Sequence, residues 1–193
     1  TGTMTRGEPA VTDVEIGDWG LEIADDTQSP ISKLLFLAGS AERGSEHPLG
    51  EAIVRAAQAQ GIALSQPAGF AAIAGHGVTA EVEGHQVLVG NLRLMQQQNV
   101  VLNGLMPRAE GLEQQARTAM WVAVDGQARG VIGVADTMKD GSKEAVAALR
   151  RLGLTVIMMT GDNRATAEAI AAEAGVDRVL AEVLPGDKAA KVA

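Results

Sequence analysis

The sequence predicts an α/β domain interrupted by an α+β insertion that contains an antiparallel sheet. Three observations predict it. Between Phe70 and Ala135, short apolar stretches are separated by glycine-containing turns, as in a meander followed by a hairpin. After Asp136 the texture changes to helix, continuous apolar strand, helix and short strand. The chain has 193 residues, 46% of them hydrophobic, which is enough core for one domain or two small ones. Residues 10–127 read as the insertion, and residues 1–9 and 128–193 as the α/β part that it interrupts.

In chain order, Thr1 to Gly7 reads as a turn-rich loop and Pro9 to Ile16 as a weakly alternating strand. Gly17 to Gln28 is polar, a loop or a hairpin arm. Ser29-Pro30 opens a helix through Leu34, Leu35, Leu37, Ala38 and Ala41, with Glu42 in its last turn and Gly44 stopping it. A second helix starts at Pro48, where a missing N–H costs nothing, and runs to Gly61. Phe70 to Ile73, Val78 to Val82 and Val87 to Val89 are short strands. Asn91 caps a short helix, and Arg108 to Arg117 is another. Ala119 to Val124 and Ala128 to Ala135 form a hairpin with Asp125-Gly126 at its turn. Ser142 to Leu152 is an amphipathic helix. Leu154 to Met159 is a continuous apolar run, expected of a parallel strand buried on both faces. Arg164 to Ala174 is a helix, Val179-Leu180 a strand, and Leu184-Pro185-Gly186-Asp187 leads into a last helix.

Composition narrows the function. A net charge of −8 disfavours nucleic acid and anionic membranes as partners. The absence of cysteine excludes disulfides, zinc–thiolate sites and thiol catalysis. No apolar run reaches the roughly 18 residues that span a bilayer. No signal peptide is visible, so the piece as it stands suits the cytoplasm. Thr1-Gly2-Thr3-Met4-Thr5 is an unusual start and Lys188 to Ala193 ends like a helix cut in mid-course. Both ends mark an excised piece of a longer protein.

Several constellations could carry chemistry, and each has a bland alternative. Pro48 pushes His47 out of the α region and leaves it at a helix N-terminus. Partial positive charge and unpaired N–H groups there favour a neutral imidazole. His47 is either a cap or a contact for a flat ligand. Glu42 flanks the same corner and either reaches towards His47 or is a solvated carboxylate. Gly75-His76-Gly77 is either a tight turn or a place where backbone meets ligand. Gly90-Asn91 is a cap or a ligand-facing turn. Thr160-Gly161-Asp162-Asn163, past a buried strand, is a capped turn or a phosphoryl site with hydroxyl and backbone donors. Lys188 is an exposed lysine or a phosphate contact, and Asp136 and Lys139 are equally open. His85 sits in a turn at the surface.

The order of these pieces resembles a family. Thr1-Gly2-Thr3-Met4-Thr5, Ser45-Glu46-His47-Pro48-Leu49, Gly75-His76-Gly77-Val78, Val89-Gly90-Asn91, Thr160-Gly161-Asp162-Asn163 and Leu184-Pro185-Gly186-Asp187-Lys188 follow one another as in heavy-metal P-type ATPases, most closely the bacterial copper exporters. The resemblance covers the whole chain. It implies an incomplete, Rossmann-like phosphorylation domain of haloacid-dehalogenase type, with a nucleotide-binding domain inserted. It implies nucleotide binding by Glu42, His47, Gly75, Gly77, Gly90 and Asn91, with Glu42 and His47 at the adenine. Thr3, Thr160, Gly161, Asp162 and Lys188 would surround the phosphoryl group after domain closure. Thr160 would donate to its oxygens, Lys188 would neutralise charge, and Asp162 would position the loop and the incoming nucleotide.

The family's phosphorylation motif is Asp-Lys-Thr-Gly-Thr. Thr1 corresponds to its first Thr, so the phosphorylated Asp falls before the chain. The Gly-Asp-Gly-x-Asn-Asp motif that supplies Mg²⁺ ligands falls beyond Ala193, and no residue here is expected as a metal ligand. The resemblance implies ATP or ADP as ligand with Mg²⁺, and the actuator domain and membrane helices of a parent membrane protein as partners. The fragment itself would be monomeric and would not turn over. Exporters of zinc, cadmium or cobalt share this region, and a haloacid-dehalogenase phosphatase with a cap insertion is the remaining alternative. Gly186 replaces the family's usual Glu, without expected consequence.

Overall fold

The computed structural model describes residues 3–19, 29–160, 164–181 and 183. The chain divides into two compact units. One comprises Pro9–Glu113 and Arg117–Ala135, the other Thr1–Glu8, Gln114–Ala116 and Asp136–Ala193.

A six-stranded sheet is formed by β1 (Thr5–Ile16), β2 (Ala68–Ile73), β3 (Gly77–Val82), β4 (His85–Gly90), β5 (Thr118–Val124) and β6 (Gln127–Met138). Its order is β1-β6-β5-β4-β3-β2. Each pairing from β2 through β6 is antiparallel. Tight turns drive this meander. Glu83-Gly84 and Asp125-Gly126 both have φ > 0 at their two residues, which gives hairpins that match strand twist.

In the larger unit the sheet is covered on both faces. On one side lie α1 (Pro30–Glu42) and α2 (Pro48–Ala59), and on the other α3 (Leu92–Gln97) and α4 (Met106–Gln114). Strand β5 shows the consequence of a period of two. Met120, Val122 and Val124 enter the core with Leu34, Leu35, Ile53 and Val89. Ala119, Trp121 and Ala123 enter the opposite core with Leu94, Met95, Leu105 and Leu112. Small residues let α1 and α2 approach closely. A Cβ on Gly39 would stand 3.3 Å from the Ala57 methyl.

In the smaller unit, α5 (Ser142–Arg151) and α6 (Arg164–Ala174) accompany β7 (Ile157–Met159) and β8 (Arg178–Leu180), which pair in parallel. Met158 packs on Ala167 and Ala171 of α6, with Met4 against the same cluster. The N-terminal segment is fastened here: Lys139 N–H and the Ser142 hydroxyl both donate to Met4 O, at 2.9 Å each. Asp136 accepts the Gly7 N–H at 2.9 Å.

Two expectations change. The turn-rich reading of the first seven residues gives way to a strand beginning at Thr5, because strand pairing outweighs the poor β propensity of Gly7 and Glu8. The apolar run 154–159 is not buried on both faces. Leu154 is 53% and Ile157 49% exposed, because β7 is only three residues long and its described packing is on the Met158 side. The segment 20–28 and the helix expected after Asp187 lie outside the described residues.

Candidate functional site

The first cluster is the corner between α1 and α2. His47 is the N-cap of α2, in the extended conformation that Pro48 demands. Its Nδ1 accepts the Leu49 N–H at 3.2 Å. That bond requires a lone pair on Nδ1, so the ring proton sits on Nε2. The residue is exposed, so a capped ring still faces solvent. Glu42 is the opposite case. It ends α1 and is only 3% exposed. Ser45 hydrogen-bonds its carboxyl, while Oε2 is buried without a partner. Burial pushes this carboxyl above its ordinary value, with the Ser45 hydrogen bond opposing. The Ser45 hydroxyl also accepts the His47 N–H at 3.3 Å, so one side chain ties both residues to the corner.

The second cluster joins the glycine turn to the end of β4. Gly77 and Gly90 are register partners. A Cβ on Gly77 would lie 2.5 Å from Gly90 Cα and 2.9 Å from the Val89 carbonyl carbon. A Cβ on Gly90 would meet Gly77 Cα at 2.9 Å and Leu94 Cδ2 at 2.8 Å. Both glycines are needed for backbone to pass backbone. Gly75 differs: its φ is +72° and nothing lies within 4 Å of the Cβ position. Asn91 is fully used in holding the cluster. Its Oδ1 accepts the Leu94 N–H at 3.0 Å, and its Nδ2 donates to Gly75 O at 3.0 Å. Asn91 N–H donates to His76 O at 2.9 Å. Among the described residues no hydrogen bond joins this cluster to the first. Strand β2 connects them along the chain: Phe70 packs on Gly44 at the corner, and Ile73 leads into the turn.

In the smaller unit, Thr160 follows β7 and is buried. Its N–H donates to Leu180 O at 2.9 Å, and its O accepts from Val183 N–H at 3.0 Å. Thr3 is exposed and precedes Met4, which packs on the β7 cluster. Gly161, Asp162 and Lys188 lie outside the described residues. No group of three or more His, Asp or Glu able to hold a metal occurs among the described residues.

A cavity of about 880 Å³ in the larger unit is lined by Trp19, Lys33, His85, Asp125 and Arg129, among others, and by none of the sequence-derived site residues. Its polar groups already have partners. His85 Nδ1 pairs with Asp125 at 2.7 Å, and Arg129 donates to Asp18 O at 3.1 Å. The orphaned carboxylate oxygen therefore marks a better ligand position than this larger opening.

Sequence reasoning missed Gly50 and the role of Ser45. A Cβ on Gly50 would fall on the Glu42 carboxyl, 2.8 Å from Cδ, and 3.0 Å from Ser45 Oγ. One signal was available. Glu42 stands four residues after Ala38 and seven after Leu35, in phase with the apolar stripe of α1.

Comparison with known proteins adds the lineage. A family model described as a haloacid dehalogenase-like hydrolase matches residues 1–192. A copper-exporting P-type ATPase of Bacillus subtilis is 48% identical over 193 residues, all of this chain and 23% of that protein. A probable copper-exporting P-type ATPase V of Mycobacterium tuberculosis is 47% identical, over 100% of this chain and 24% of its own length. The chain thus spans about a quarter of the length of the curated relatives it matches. Among solved structures, a zinc-transporting PIB-type ATPase in its E2.Pi state aligns with a TM-score of 0.85 and 32% identity. It covers 100% of this chain, which spans 29% of that one.

Proposed function

The chain belongs to the haloacid dehalogenase-like hydrolases, and from that premise we propose that it is the ATP-binding and phosphoryl-handling part of a copper-exporting P-type ATPase. The observation that carries the nucleotide reading is the buried, unpartnered Oε2 of Glu42 at the His47 corner. A buried acceptor left without a donor costs free energy unless something supplies one. An exocyclic amino group on a flat base is such a donor, and the exposed His47 ring offers it a stacking surface. Gly75, with open space at its Cβ position, is the member of the glycine cluster free to face a ligand. Gly77, Gly90 and Asn91 support it by building the turn.

Thr3, Thr160, Gly161, Asp162 and Lys188 are proposed for the phosphoryl group, with Thr160 donating to its oxygens. In the parent protein an aspartate carboxylate would attack the γ-phosphorus and release ADP. Mg²⁺ would add charge neutralisation when bound, and the described residues present no carboxylate cluster for it. Copper is favoured as the exported ion by identities of 48% and 47% to copper exporters. The likeness to a zinc-transporting ATPase, at 32%, keeps zinc as the second reading. The actuator domain and membrane helices of the parent are the proposed partners. No described helix of this chain is long and apolar enough to cross a membrane.

Calorimetric titration of the chain with ATP tests the proposal. Binding that weakens in Glu42→Ala and in His47→Gln is the expected result. An affinity unchanged by both substitutions would remove the corner from the site.

A further inference from the structure

Resting on the nucleotide reading of the α1–α2 corner, we propose that Gly50 is a positioning residue for Glu42: lacking a Cβ, it admits the carboxyl against α2 and so creates the buried acceptor that recognises an amino-bearing base. Gly50 is buried, in the first turn of α2. Glycine inside a helix is unfavourable relative to alanine, so its presence there needs a reason. The reason is steric. A methyl at this position would overlap the Glu42 carboxyl and press on the Ser45 hydroxyl at 3.0 Å. The atom displaced is the far end of a flexible side chain, so the fold can survive the substitution by moving the carboxyl. What it loses is the placement of Oε2.

Ser45 completes the arrangement. Its hydroxyl bonds the Glu42 carboxyl and accepts the His47 N–H at 3.3 Å. With that bond used, Oε2 is the oxygen left over, buried and without a donor. A carboxylate so placed accepts from an amino group and offers nothing to a carbonyl oxygen at the same spot. The geometry therefore favours a base with an amino group there over one with a carbonyl.

The test is a double-mutant cycle on the 193-residue chain, with ATP affinity read by calorimetry and melting temperature read alongside. Glu42→Ala is expected to weaken ATP roughly tenfold, as for loss of a hydrogen bond to a charged group. Gly50→Ala is expected to weaken it similarly in the native background, yet by less than about twofold once Glu42 is alanine. Its melting temperature should not fall in the Glu42→Ala background, where the methyl has room. An equal loss of ATP affinity in both backgrounds would overturn the positioning role, as would no loss in the native background while Glu42→Ala weakens binding. If Glu42→Ala itself leaves ATP affinity unchanged, the nucleotide reading of the corner fails and this proposal falls with it. Should Gly50→Ala not fold, Ser45→Ala removes the carboxyl's hydrogen bond without adding bulk. It must then weaken ATP with Glu42 present and not without it.

Discussion

The glycine cluster separates structural from ligand-facing roles, and Gly77→Ala against Gly75→Ala tests the separation. At Gly77, φ is +146°, where side chains other than glycine's are strained. That strain costs about 1–3 kcal/mol. The added methyl would also stand 2.5 Å from Gly90 Cα, against the 3.5–4.0 Å of an ordinary carbon contact. Overpacking against backbone that cannot rotate away adds about 1–3 kcal/mol. The expected loss is roughly 2–6 kcal/mol, read as a fall in melting temperature on the order of 10 °C for a chain of this size. At Gly75 only the left-handed backbone term applies, about 1–2 kcal/mol, because nothing lies within 4 Å. Urea denaturation of the two variants, with calorimetry against ATP, reads both quantities. Gly75→Ala should keep most of the stability and lose ATP affinity. Equal destabilisation by the two substitutions, or a larger loss at Gly75, would refute the assignment of close backbone passage to Gly77.

Three further outcomes follow from the same geometry. His47→Gln removes the Nδ1 acceptor that caps α2 and should cost about 1 kcal/mol of stability. His47→Asn should restore the cap but not ATP affinity, so parallel recovery of both would make His47 a cap alone. Burial raises the Glu42 carboxyl above its ordinary value, so the folded state binds its proton more tightly than the unfolded chain. Stability should therefore fall as pH rises from the ordinary carboxylate value through the raised one. Glu42→Gln should lose that fall, as read by urea midpoints across the acid range, and an unchanged pH slope would contradict the buried carboxylate. Trp121, 1% exposed in the core beneath α3 and α4, should cost about 3–5 kcal/mol as alanine, measured by denaturation.

Much of the architecture was legible along the chain. Asp125-Gly126 between alternating strands specifies its hairpin locally, and the Ser29-Pro30 and His47-Pro48 pairs start helices where capping and fixed φ require them. Asn91 as a cap is equally local. The extent of β1 was not legible, because pairing with a distant strand lets Gly7 and Glu8 join it. Nor was the exposure of Ile157, since an apolar run cannot announce which neighbours will cover it.

The candidate site divides along the same line. By itself the sequence determined which residues carry the chemistry: Glu42, His47, the Gly75–Gly77 turn and Gly90-Asn91, in an order that resembles one family. Only the tertiary structure decided what each does there. It buries Glu42 with one oxygen unpartnered, makes Gly50 the space that admits it, and turns Gly77 and Gly90 into mutual clearance rather than ligand clearance. The physical reason is that caps and turns are satisfied by neighbours a few residues away, whereas burial, steric clearance and an orphaned acceptor depend on atoms brought together from separate elements.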